Sequence, residues 1–103
     1  MSVTVVATIT PKPGRLEAVR EAFTDAVPAV HAEPGCELYA LHEGRDVLVM
    51  VERWADAAAL RTHGEGAAFT ATMARVQDDL GAPLDVRVLS AVPAGDPAKG
   101  QIA

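Results

Sequence analysis

Residues 37–54, "ELYALHEGRDVLVMVERW", decide how this chain folds. The run 37–43 alternates in polarity and Gly44-Arg45-Asp46 makes a tight turn. Residues 47–54 are rich in β-branched and large apolar side chains, so the pair reads as a β-hairpin. Successive side chains of a strand point to opposite faces. Leu48, Met50, Glu52 and Trp54 therefore share one face, and Val47, Val49, Val51 and Arg53 share the other. Apolar side chains fall on both, so neither face of this strand meets water.

Working outward, residues 3–10, "VTVVATIT", are β-branched and stop at the breaker cluster "PKPG", which predicts a first strand. From Arg15 the period changes. Leu16, Val19, Phe23, Val27 and Val30 recur every three or four residues, the stripe of an amphipathic helix. Pro28 falls inside it and is expected to kink or shorten the last turns, and "EPGC" at 33–36 ends the helix. After the hairpin, Asp56 is a good N-cap. "HGEG" at 63–66 is expected to break the helix that follows, and Phe69, Met73, Val76 and Leu80 form a second stripe. Gly81 and Pro83 close it before a fourth strand in "LDVRVLS".

The order β-α-β-β-α-β is the ferredoxin-like α+β arrangement: four antiparallel strands with both helices on one face. The other face of the sheet stays apolar and uncovered, which predicts a homodimer packed sheet against sheet. Residues 1–92 read as one domain and residues 93–103 as a mobile C-terminal tail.

Composition narrows the function classes. The chain has 103 residues, half of them hydrophobic, and a net charge of −5 with no basic run. Neither nucleic acid nor an anionic membrane surface is an expected partner. A single cysteine, Cys36, excludes an intramolecular disulfide and suits a reducing cytoplasm. No apolar run approaches the length of a membrane span. The excess of Arg over Lys, seven to two, fits a GC-rich bacterial genome.

The chemical motifs are mostly absent. There is no HxH, HExxH, CxxC, GxGxxG, P-loop or GxSxG, and His31, His42 and His63 lie on three different elements, so no metal and no cofactor is expected. What remains is "VERWADAAALRTHGEG", residues 51–66, with the only tryptophan of the chain. Trp54 is either a plug between sheet and helix or a pocket wall. If buried, its indole N–H needs a partner, for which Glu52 on the same face is a candidate. Glu52 with Arg53 otherwise reads as a surface or dimer-edge ion pair. His63 is either a surface residue at a helix C-terminus or a proton carrier leaning over a cavity mouth, since imidazole titrates near neutrality. In the second case His63→Ala would barely change stability. Phe69 and Met73 read as core or as ligand wall.

Here the residues resemble a family. "EPGCELYALHE", "VMVERW" and "WADAAALRTHGEGAAF" are similar to the antibiotic biosynthesis monooxygenase domain in the turn Pro34-Gly35-Cys36, the strand end Glu52-x-Trp54, the cap Asp56, the pair Ala59-Leu60, and then His63 and Phe69. The likeness covers residues 3–90. It implies a dimeric α+β barrel with an apolar cavity between sheet and helices. It also implies oxidation of a small phenolic, quinol or polyketide-type aromatic by O₂ with neither metal nor flavin. His63 and Trp54 would be the catalytic pair, and Thr8, Tyr39, Met50, Phe69 and Met73 the substrate-binding residues. Two subgroups fit poorly. Anthrone-oxidising members carry an Asn where this chain has Met50. Haem-degrading relatives carry a Trp at the position of His63 and a ligating His at that of Met73. The alternatives on the same fold are a non-oxidative isomerase or signal-processing enzyme, resting on His63 and an anchor such as Thr8 or Tyr39, and a ligand-binding dimer without turnover.

Overall fold

The β-branched run at the N-terminus forms β1, Val3–Ile9, in a computed structural model that describes residues 1–102. It is followed by α1 (Leu16–His31), β2 (Cys36–Gly44), β3 (Val47–Trp54), α2 (Ala57–Glu65), α3 (Ala67–Val76) and β4 (Asp85–Leu89), with a 3-10 turn at Gln77–Asp79 before the last strand. The strands make one antiparallel sheet in the order β2-β3-β1-β4, the ferredoxin-like topology expected. Among the described residues no helix is long and apolar enough to cross a membrane.

β3 lies at the centre and its alternation is complete. Leu48, Met50, Glu52 and Trp54 are buried, while Val47, Val49, Val51 and Arg53 are half-buried on the opposite face. The core lies on the first of these faces, where Val5, Ala7 and Ile9 of β1 join Val19, Phe23 and Val30 of α1 and Val76 of α3. On the second face, Val6, Val51 and Ala40 sit side by side in register, with Val49, Thr4, Thr8, Leu38 and Leu89 around them.

Three local expectations change. α1 runs through Pro28 to His31 instead of stopping short. Proline there removes the bond to the carbonyl of Thr24, but both residues lie on the exposed face, where water can satisfy that oxygen, and Val30 is buried beyond it. The second crossover holds two helices, so the order is β-α-β-β-α-α-β. The break itself falls within 63–66 as expected, at Gly66, whose extended backbone (ψ 164°) ends one helix and begins the next, while Gly64 lies inside α2. Glu52 and Arg53 do not pair. They point to opposite faces, and Arg53 Nε meets Glu37 Oε1 at 3.0 Å across the outer face.

The loop between α1 and β2 passes close to α2. Gly35 has φ +82°, a left-handed conformation that glycine adopts at little cost. A Cβ there would stand 2.6 Å from the Ala59 Cβ. The same residue accepts a hydrogen bond from the Ala55 N–H at 2.8 Å, which pins the start of α2 to the start of β2. Gly35→Ala should therefore combine backbone strain with a clash and destabilise the fold by roughly 2–4 kcal/mol. A melting temperature equal to that of the wild type would contradict this packing.

Candidate functional site

The close approach at Gly35 sets where α2 lies, and α2 carries the imidazole. Asp56 caps the helix, its Oδ1 accepting the Ala59 N–H at 2.8 Å. His63 follows Ala59 by four residues and so projects from the same side, towards the sheet. The turn after α1 brings the other partner. Glu33 N–H donates to the Val30 carbonyl at 3.0 Å and the Glu33 carbonyl accepts from Cys36 N–H at 3.2 Å, a tight structure that holds the Glu33 side chain beside α2.

His63 is buried, with 5% of its surface exposed. Its ring stacks on Trp54 with centroids 4.6 Å apart and meets the edges of Tyr39 and Phe69 at 5.4 and 5.6 Å. Nδ1 lies 2.8 Å from Glu33 Oε1. A carboxylate can only accept, so Nδ1 carries the proton and Nε2 is left to exchange one with a ligand. His63 is neither a surface residue at the helix C-terminus nor a ring leaning over the cavity mouth at little cost to stability: the ring is enclosed, with Trp54 presenting a flat face one layer below it. Trp54 is fully buried and donates its indole N–H to Glu52 Oε1 at 2.9 Å, the partner read from the strand pattern.

In front of His63 lies a cavity of about 100 Å³. Its floor is Val5, Ala7 and Ile9 of β1 with Met50 of β3. Phe23, Leu60 and Phe69 close it from the helices, and Leu84 and Val86 from the side of β4. The titratable side chains on its wall are Tyr39, Glu52 and His63. Among the described residues no cluster of three or more His, Cys, Asp or Glu is arranged to hold a metal.

The structure gathers His63, Tyr39, Met50 and Phe69 around this space. Trp54 backs His63 and does not reach the cavity surface. Met73 packs on the core from α3 without lining the cavity. Thr8 lies on the far face of the sheet, because Val5, Ala7 and Ile9 face the cavity and Thr8 has the opposite parity; strand alternation alone carries that signal. Glu33 and Glu52 enter the site without having been singled out for it. Glu52 shares a face with Met50 and Trp54 in the sequence pattern. Glu33 carries no local signal, since its turn reads only as a helix stop.

The electrostatics follow from burial. Desolvation raises the Glu52 carboxyl above the ordinary carboxylate pKa, with the Trp54 hydrogen bond and His63 pulling the other way. Tyr39 is pushed up by burial first and then by the negative charges of Glu52 and Glu33, which keeps the phenol protonated. Cys36 is raised by burial and by the same two acids, so its thiol is not an activated nucleophile.

Comparison with known proteins identifies the family. The family model described as antibiotic biosynthesis monooxygenase matches residues 2–75, which include Glu33, Tyr39, Glu52, Trp54, His63 and Phe69. The chain belongs to the antibiotic biosynthesis monooxygenase family. A Bacillus subtilis (strain 168) protein named "Putative monooxygenase YcnE" is 36% identical over 78 residues, 73% of this chain and 82% of that protein. The solved structure of Rv0793 from Mycobacterium tuberculosis superposes with a TM-score of 0.84 at 28% identity, covering 93% of this chain and all of that one. That of PA3566 from Pseudomonas aeruginosa gives 0.82 at 31%, covering 88% and 94%. A general monooxygenase-like role follows from the family.

The burial of His63 has a measurable consequence in this family member. His63→Ala should lower stability by roughly 2–4 kcal/mol, the cost of emptying a packed site, and it also strips Glu33 of its partner. Thermal or urea melting of the variant reads this directly. A loss within about 0.5 kcal/mol, as for a surface change, would mean that the ring is not held in this stack.

Proposed function

We propose that the protein is a cofactor-independent monooxygenase acting on a small single-ring phenol or hydroquinone with O₂. The observation that carries the reading is His63, held by Glu33 and stacked on Trp54, at the wall of a ring-sized apolar cavity. An apolar cavity of roughly 150 Å³ is enough to hold benzene. At about 100 Å³ the space here is smaller than that, so a single ring enters only as the lining side chains give way, and a fused polycyclic system has no room. His63 Nε2 takes the proton of a ring hydroxyl, and Glu33 holds the imidazole in the tautomer that allows it. The phenolate is electron-rich enough to pass an electron to O₂ directly, so the protein has to deprotonate, orient and desolvate it. One oxygen atom enters the ring and the other leaves as water, with both electrons of the balance supplied by the substrate. No metal or flavin is required for this chemistry.

The expected result is oxygen uptake with monocyclic hydroquinones, yielding the oxygenated quinone. His63→Gln, which keeps a donor for Glu33, should lower kcat by roughly 100-fold or more, the usual share of a general base. A ligand-induced rise in melting temperature without any oxygen uptake would instead favour a binding protein. An isomerase on the same fold would transform its substrate with no oxygen consumed.

The working unit in this reading is a homodimer that packs the outer sheet faces together. A row of half-buried valines at the centre of a sheet with no covering layer supports it. Light scattering at micromolar concentration should give the mass of two chains, and Val49→Asp with Val51→Asp should give the mass of one. A monomeric wild type would remove the dimer from the proposal.

A further inference from the structure

One group on the cavity wall has no part in the reaction as proposed so far. Glu52 is 6% exposed and lies on β3 directly opposite Tyr39. The Trp54 indole N–H takes Oε1 at 2.9 Å. No hydrogen bond to Oε2 accompanies it, yet among the described residues no sealed side-chain oxygen lacks a partner. Oε2 therefore opens on the cavity that Glu52 lines together with His63. The titratable groups around it are His63 from α2, Glu33 from the α1–β2 turn, and Tyr39 and Cys36 from β2. Glu33 is 22% exposed and has the imidazole as a direct partner at 2.8 Å. Glu52 is the more enclosed of the two acids and has no direct cationic partner among the described residues, and burial biases its carboxyl towards the protonated form.

Oxygen insertion needs such an acid. After O₂ bonds to the ring carbon, the peroxide must gain a proton before its outer oxygen can leave, and the hydrogen on that carbon must be removed. His63 already holds the proton of the ring hydroxyl and cannot do both. We propose that Glu52 is a second catalytic residue, which protonates the ring-bound peroxide and then, as carboxylate, removes the hydrogen of the same carbon. This rests on the oxidative reading above. The C–H electron pair becomes the second bond of the new carbonyl, and the O–O bond breaks with its pair going to the departing hydroxide. That hydroxide takes the proton held by His63 and leaves as water. Glu52 ends protonated and His63 neutral, so the cycle closes with one O₂ consumed, one oxygen in the product and one in water.

Glu52→Gln retains the shape and an acceptor for the Trp54 N–H but cannot transfer a proton. With a monocyclic hydroquinone and O₂, kcat should fall by roughly 100-fold or more, with KM little changed. The oxygen that still reacts should appear as hydrogen peroxide, a diversion that a merely structural role would not cause. An unchanged kcat with water as the reduced product overturns the proposal. A second measurement is independent of turnover. At neutral pH the wild type should show the infrared carbonyl stretch of a protonated carboxylic acid that Glu52→Gln lacks, and its absence overturns the proposal even in an active enzyme. A wild type that shows the band but takes up no oxygen with any hydroquinone rejects the oxidative reading, and the role of Glu52 within it.

Discussion

The register of β3 is the constraint on which everything else rests. One face of that strand supplies Leu48 and Met50 to the core, Glu52 to the cavity and Trp54 to the stack beneath His63. A slip of one residue would turn all four outwards and bring Val47, Val49, Val51 and Arg53 in. The valines would be tolerated, but a guanidinium would stand where the indole now supports the imidazole. Pairing on both sides, with β2 and with β1, holds the strand against that slip. The stability of the sheet and the chemistry of the site are therefore specified by the same alternation.

Placing two carboxyl groups and an imidazole in an apolar enclosure is costly unless each is matched. The matches are unequal, and this inequality separates the roles. Glu33 reaches solvent and faces the imidazole, so its charge is relieved twice. Glu52 is hydrogen-bonded to a neutral indole donor, feels the imidazole only at a distance, and is the more buried of the two. The two remaining candidates for proton traffic, Tyr39 and Cys36, are pushed up first by burial, which keeps the phenol and the thiol protonated. In the proposed reaction, proton exchange therefore falls to His63 and Glu52.

Much of this was legible in the sequence wherever the information was local. The hairpin at 37–54, the two faces of β3, the Asp56 cap and the Trp54–Glu52 hydrogen bond all follow from periodicity and residue chemistry. The continuation of α1 through Pro28 was not legible, because it depends on which side of the helix is exposed. The burial of His63 was not legible either. It is set by the contact of Gly35 with Ala59, between residues far apart in the chain and visible only once β2 and α2 are packed. Glu33 was hidden for the same reason, since a turn of the type "EPGC" announces where a helix stops and nothing about where its acid will point. Thr8 shows the converse: parity along β1 places it on the outer face.

β4 differs from the other strands in that all five of its residues are exposed, and Val86, which walls the cavity, is itself 52% accessible. On this side the inner surface of the site and the outer surface of the molecule are therefore continuous through Val86. Whatever covers β4 also changes how much water reaches the cavity. By reciprocity, a ligand that favours the covered state strengthens the covering contact by the same factor by which that contact strengthens the ligand. Were the proposed dimer to cover β4, affinity measured on the dilute chain and affinity measured on the dimer would be two different quantities, tied together through the exposed side of the cavity.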